Sequence, residues 1–321
     1  MSTNISVFAS FRRKDNTISR AVRIISFRFT KDAYTPYTQL SAVFSTITTA
    51  FTPFGSSSEY TEVIFYINSH IVHEGIIDSL KIIKENGVEK GIIKSRGFTS
   101  LLLDNQLKPG LYMNISIDKL INNYYTLPKV TNEPSTSENY IFVRNGSSMW
   151  DALVSLSYKV HGTYPYIKGT NKVMMTAETP QKNLVFDDDT LLNYGSEMKT
   201  FRIASDFHMS DIDDTYDKYS YNNPEAAEKK IVRHRYFDLD RRFLYSPEQA
   251  LFFRNAIAMR GWKRKFCTYN GYQKEDLYDT VSFGDVQNGI IKSILITGDR
   301  NGVKTELSVY EDKFTQQALS E

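Results

Sequence analysis

Cysteine is all but missing from this chain: Cys267 is the only one in 321 residues. No intrachain disulfide can form, and no metal centre can be built from several thiolates. Long apolar runs are missing as well. No window approaches ~18 uninterrupted apolar residues, so no stretch reads as a membrane-spanning helix. The opening, MSTNISVFASFRRKDN, lacks the apolar run of a secretory leader. The expectation is a chain made and folded in a cytoplasm. One-sided charge is lacking too, with 39 Lys and Arg against 37 Asp and Glu and a formal net charge of +2. That balance gives no argument for a nucleic-acid or membrane-surface partner. Catalytic signatures are equally scarce: there is no G-x-S-x-G elbow, no H-E-x-x-H pair and no Walker A loop. The chain is therefore expected not to be an enzyme and to need no cofactor or metal.

Aromatic residues are what the chain has in excess, with 21 Tyr and 20 Phe. Such side chains suit half-buried pleated surfaces and large contact areas, which favours β structure. The first hundred residues agree. AVRIISFRFT (21–30) sets Ile25, Phe27 and Phe29 on one face of a strand. YTQLSAVFSTI (37–47) follows, and YTEVIFYIN (60–68) meets HIVHEGIIDSLKIIKEN (70–86) across an Asn68-Ser69 turn. Asn86-Gly87 starts a second hairpin, whose return strand runs 87–98. That strand ends in Ser95-Arg96-Gly97 and gives way to a leucine-rich turn stopped by Pro109-Gly110. Five or six strands with two tight turns suit a small antiparallel barrel or sandwich.

PKVTNEPSTSEN (128–139) has the composition of a linker or surface loop. YIFVRNGSSMWDALVSLSYKVHGTYPYIKGTNKVMM then reads as a strand, a helix and a hairpin. Ser148 and Asp151 fit a capping box, and Gly162 fits a helix stop. Trp150, Leu153, Val154, Ser157 and Val160 line one helix face. A strand-like start at 200–207 precedes an acidic stretch. YSPEQALFFRNAIAMRGW (245–262) carries helix signals: Ser246 as N-cap, Pro247 in the first turn, Gln249 to close the box and Gly261 at the end. The chain finishes in strands at 279–286, 289–299 and 302–312.

The candidates for chemistry are thin. His70, His73, His161, His208 and His234 read as structural or solvated. Asp187, Asp188 and Asp189, and the group Asp211, Asp213 and Asp214, could hold a hard cation, but neither has the EF-hand pattern, and solvated acidic loops are expected. The longest basic cluster is Lys229, Lys230, Arg233, His234, Arg235, Arg241 and Arg242. It reads first as a salt-bridged solvated segment and second as a contact to an acidic face of a protein partner. Residues 140–180 also resemble half of a LysM peptidoglycan-binding module, through a strand, a Gly-Ser turn and the Trp150 helix. They depart from it where a second helix should follow and a hairpin is read instead. A cell-wall-binding tail module is thus an alternative reading, and a glycan hydrolase a weaker one.

In order, the segments resemble the central baseplate hub proteins of contractile-tailed phages and phage-tail-like bacteriocins, the late control protein D type. The resemblance is carried by four units: KSRGFTSLLLDN, VRNGSSMWDALVSLSYKVHGTYPYIKG, YSPEQALFFRNAIAMRGW and the closing GIIKSILITGDRNGVKTELSVYED with Thr305 in its last strand. The family often has a Gly-Asp before the penultimate strands, and here Gly284-Asp285 falls later. The resemblance implies a β-rich α+β fold with two small antiparallel β-barrel domains, 1–105 and 200–321, the second with an inserted helix at 247–261. A mixed α/β middle region, 106–199, would lie between them. It implies a homotrimeric ring acting as a symmetry adaptor between a hexameric tail tube protein and a trimeric central spike protein, beside other baseplate wedge proteins. The location implied is the baseplate of a virion or phage-tail-like particle, assembled in the bacterial host cytoplasm. Structural or interface candidates are Arg96, Trp150, Tyr164, Tyr166, Lys229, Lys230, Arg233 and Arg235, with Arg96 closing the first barrel.

Overall fold

The computed structural model describes residues 5–47, 53–122, 126–134, 137–244 and 246–311. β1 (Val7–Arg13) and β2 (Ile18–Ala21) form a short first hairpin. β3 (Ile24–Asp32) buries Phe27 and Phe29 as their alternation requires. Ile25, expected on the same face, stays exposed, because a register shift between Ile24 and Ser26 leaves it out of the ladder to the next strand. β4 (Gln39–Ser45), β5 (Tyr60–Ile67), β6 (His70–Glu85) and β7 (Val88–Gly97) follow. Both expected tight turns are present. Asn68 and Ser69 have φ of 50° and 63°, and Asn86 and Gly87 have 50° and 76°. Two consecutive positive φ values match the right-handed strand twist, which explains why Asn and Gly stand there.

The middle of the chain is mixed. α1 (Leu101–Asp104), β8 (Gly110–Ile115) and α2 (Ile117–Asn122) lead to β9 (Thr131–Asn132) and β10 (Asn139–Val143). The expected linker 128–139 thus carries one short strand and the start of another, while residues 135 and 136 lie outside the described residues. α3 (Met149–His161) is capped as its sequence asks. Ser148 Oγ accepts from the Asp151 amide at 3.1 Å, the Asp151 carboxylate accepts from the Ser148 amide at 2.9 Å, and Gly162 ends the helix at φ 64°. β11 (Tyr166–Lys168) and β12 (Lys172–Met174) form the expected hairpin.

β13 (Asn183–Val185) and β14 (Leu191–Met198) come next. A small sheet of β15 (Asp206–Met209), β16 (Tyr219–Asn222) and β17 (His234–Phe237) follows, with α4 (Pro224–Glu228) between its last two strands. The strand expected over 200–207 begins only at Asp206. α5 (Glu248–Ala258) is shorter than the expected 247–261, and Gly261 turns the chain at φ 61°. Its start is also different: Pro247 is the cap residue, Ser246 supplies a carbonyl and not its side chain, and the buried Gln249 amide closes no box. β18 (Lys263–Asn270), β19 (Thr280–Phe283), β20 (Val286–Asp299) and β21 (Gly302–Tyr310) end the described chain. The stretch 279–286, expected as one strand, bends at Gly284, φ 49°, into the β19–β20 turn. Tyr245 and Asp312, at the ends of an expected helix and strand, lie outside the described residues.

The two β-rich ends of the chain are one sheet. Its path runs β14-β18-β21-β20-β3-β4-β7-β6-β5-β1-β2, with β19 and β13 attached at β20, thirteen strands in all. The join is β3 against β20, antiparallel from Ser293↔Asp32 to Gly298↔Phe27. Among the described residues, therefore, the ladder is an open path with β14 and β2 at its ends, where two closed barrels were expected. One hydrophobic core serves both ends: Phe11, Phe44 and Phe65 belong to the same cluster as Tyr269, Ile294 and Leu307. Phe44 lies over Gly91, and Phe27 over Gly298, each on the facing strand. A Cβ on either glycine would fall 2.2 or 2.1 Å from the ring, so only glycine admits these close approaches.

A second core holds the middle. Leu102, Ile117 and Ile141 pack with most of α3, and Phe207, Phe243, Leu251 and Phe253 close it from the other side. The expected boundary near 199 does not coincide with the cores. β14, before it, belongs to the large sheet, whereas β15–β17 and α5, after it, belong to the middle core.

Candidate interaction surfaces

Arg96 sits where β7 leaves the sheet and α1 begins. Its Nε and Nη2 donate to the Asp78 carboxylate at 2.9 and 3.0 Å, and Nη1 donates to Asp104 at 3.0 Å. Hydrogen bonds donated to Asp78 and then to Asp104 hold its pKa above the ordinary guanidinium value. One planar fork thus ties β6, β7 and α1 together at the exit from the first β unit, as bidentate arginine geometry allows.

The three aromatic candidates are interior. Trp150 Nε1 donates to the Tyr164 hydroxyl at 3.3 Å, and Tyr164 meets Tyr34 edge to face at 5.1 Å. Tyr166 stacks on Tyr278 at 3.9 Å and joins the hairpin β11–β12 to the large core. Lys229 and Lys230 are exposed at the end of α4. Arg233 is a latch: its guanidinium donates to the Ile203 carbonyl at 3.0 Å and also to that of Thr200. Arg235 is exposed on β17.

Arg235 and Arg242, both in the basic cluster of the sequence, line a cavity of about 460 Å³ with Arg144, Arg202, Arg254 and Arg260. The wall comes from the end of β10, α3, β15, β17 and α5. Aromatic rings hold several guanidiniums in place. Arg254 lies 3.9 Å over Phe237, Arg242 4.6 Å over Phe253, and Arg260 4.7 Å over Tyr164. Beneath them Asp240, with 2% exposure, accepts from Arg242 Nε at 2.9 Å and from Arg254 at 2.9 Å. Burial alone would raise the Asp240 pKa, but the hydrogen bond and charge of Arg242, helped by Arg254, hold it well below the usual carboxylate range. Burial, then the charge of Arg242, lowers Arg254 to about 10 and Lys159 to about 7.

The five histidines differ in burial, from exposed His70 and His234 to buried His73. His73 is fully buried, and its Nε2 and Nδ1 lie 2.8 Å from Ser95 Oγ and Thr38 Oγ1. Ser95 spends its own proton on the Ile76 carbonyl, so Nε2–H donates to Ser95 and Nδ1 accepts from Thr38. A register shift opposite Phe65 and Tyr66 turns Val72 and His73 inward together; strand alternation alone could not foresee that. His208 and His234 stack at 5.8 Å on the small sheet. The acidic groups remain at the surface, and no group of three or more His, Cys, Asp or Glu among the described residues is placed to hold a metal ion.

Neither a family model nor a curated relative matches the sequence. The fold does match. The chain is similar to a tail protein of Neisseria meningitidis, with a TM-score of 0.66 at 16% identity over 98% of both chains. It is similar to the 43 kDa tail protein of prophage MuSo2 from Shewanella oneidensis, with a TM-score of 0.68 at 12% identity over 95% of this chain and 98% of that one. The E. coli c3393 protein, a type VI secretion component described as similar to the T4 tail proteins gp27 and gp5, matches at a TM-score of 0.52 and 7% identity. That match spans 92% of this chain and 75% of the other. The chain therefore shares the fold of these phage tail proteins, as its segment order implied.

Proposed function

We propose that this chain is a structural baseplate hub: a trimer that adapts a hexameric tail tube to a trimeric central spike, with no reaction catalysed. The observation that carries the reading is the end-to-end match with the Neisseria tail protein, 98% of each chain. The shape of the large sheet supports it. Two β-rich ends are joined at β3 and β20 in each subunit, and if each end made a similar contact, a threefold ring would present sixfold-like contacts. β14 is an open edge with Leu192, Tyr194 and Met198 exposed, and such edges pair readily with neighbouring chains. The middle body, with α3 at its centre, would then face the spike. A location in the baseplate follows from the same reading.

The experiment is native mass by light scattering over a concentration series, with negative-stain images of the main peak. The expected species is about three times the 37.0 kDa chain, roughly 111 kDa, seen as a six-lobed ring. A monomer at every concentration would remove the self-assembled trimer from the reading.

A further inference from the structure

The cavity beneath α3 is strongly cationic. Six guanidiniums line it, and the carboxylates set against them are Asp151, already spent on the α3 cap, and Asp240, already paired with Arg242 and Arg254. Arg144, Arg202 and Arg235 stand exposed at its rim. Like charges this close repel, and a pocket of this size with mixed apolar and cationic walls suits a ligand with acidic groups around an apolar anchor. The apolar wall is Val154, Phe207, Phe253 and Ile257.

The chain itself carries a segment of that chemistry. DIDDTYD (211–217), between β15 and β16, sets Ile212, 85% exposed, among Asp211, Asp213, Asp214 and Asp217. Asp211 is used locally, accepting from the Asp213 and Thr215 amides at 2.9 and 3.0 Å. That fold of the loop leaves Ile212 and the later carboxylates outward. In its own subunit none of these residues lines the cavity. We propose that the 211–217 loop of one copy of this chain docks into the arginine cavity of a second copy, Ile212 against the apolar wall and the aspartates against Arg144, Arg202 and Arg235. The contact is head to tail, the type that closes into a ring when the rotation allows. It rests on the reading that copies of this chain sit side by side, and it names the contact that would hold them in register.

The test uses the full chain and a labelled peptide of residues 209–218, followed by fluorescence anisotropy. Saturable binding is expected, weakening as salt rises. Arg202→Glu with Arg235→Glu should weaken it at least about tenfold, the scale of losing close charge pairs at an interface. Both arginines are exposed, so the fold should survive, and unfolding curves check this; Arg144→Glu provides a second rim variant. Peptides carrying Ile212→Ser, or Asp213→Lys with Asp214→Lys, should bind correspondingly worse. No binding up to ~1 mM peptide, a level at which even a weak contact of about −4 kcal/mol registers, overturns the proposal. So does equal binding by a scrambled peptide of the same composition, or by the rim variants. These outcomes leave the hub reading intact, because that reading rests on the end-to-end fold match and is tested by ring formation, not by this loop.

Discussion

His73 is the residue where burial and chemistry are most sharply coupled. Enclosed by Thr38, Ser95 and Phe29, it has its pKa lowered by desolvation to about 3. The unfolded chain binds a proton near pH 6.5 and the folded one does not, so the unfolded state gains protons first as pH falls. The neutral ring costs nothing above pH 6.5. Below it, stability should drop by up to ~1.4 kcal/mol per pH unit until the folded pKa is reached. Urea unfolding between pH 7 and pH 4 should show that slope, and His73→Gln should flatten it; an unchanged slope in the variant would assign the pH dependence to other groups. Arg96 answers a different question at the same scale. Sequence could place it at a strand end, but its two carboxylate partners come from Asp78 on β6 and Asp104 on α1, and only the folded corner brings them together.

At the scale of elements, what was legible was what is local. The Asn-Ser and Asn-Gly turns, the Ser148–Asp151 box and Gly162 each act within four residues of themselves, and each is where the sequence put it. α3 can therefore be weakened predictably. Ser148→Ala removes the cap and should cost about 1 kcal/mol. Gly162→Ala forces a Cβ into the left-handed region and should cost roughly 1–2 kcal/mol. Both should lower the urea midpoint with little change in slope, and a loss well beyond these values would mean that the cap also holds the middle core. What was not legible depended on distant partners. β18, KRKFCTYN, has no clean apolar alternation and becomes a strand because β14 and β21 flank it. The small sheet β15–β17 is short and polar, and its order follows from a parallel pairing of β15 with β17 across α4. The arginine cavity is the extreme case. Arg235 and Arg242 stood out as a run of basic residues, whereas Arg144, Arg202, Arg254 and Arg260 are scattered, and nothing in their spacing announces a common wall.

At the scale of the molecule, the β3–β20 ladder decides the architecture. It makes the ends of the chain one sheet over one core. Lys31 reinforces the joint from within the core: its ammonium donates to the Gly169 carbonyl at 2.6 Å and is paired with Asp276, which also accepts from the Gly169 amide at 2.8 Å. Burial pulls the Lys31 pKa down, against the pull of Asp276. The middle body is fastened to the same joint through the β11–β12 turn. Under the proposed hub function this joint matters, because force entering at a spike would have to reach a tube without shearing the subunit. The proposed function has the subunit joining two tail components, and co-expression with the tube and spike proteins of the same particle tests it most directly. The account predicts one co-purifying complex in which this chain forms the ring between tube and spike. Tube and spike joining each other while this chain elutes alone would contradict it.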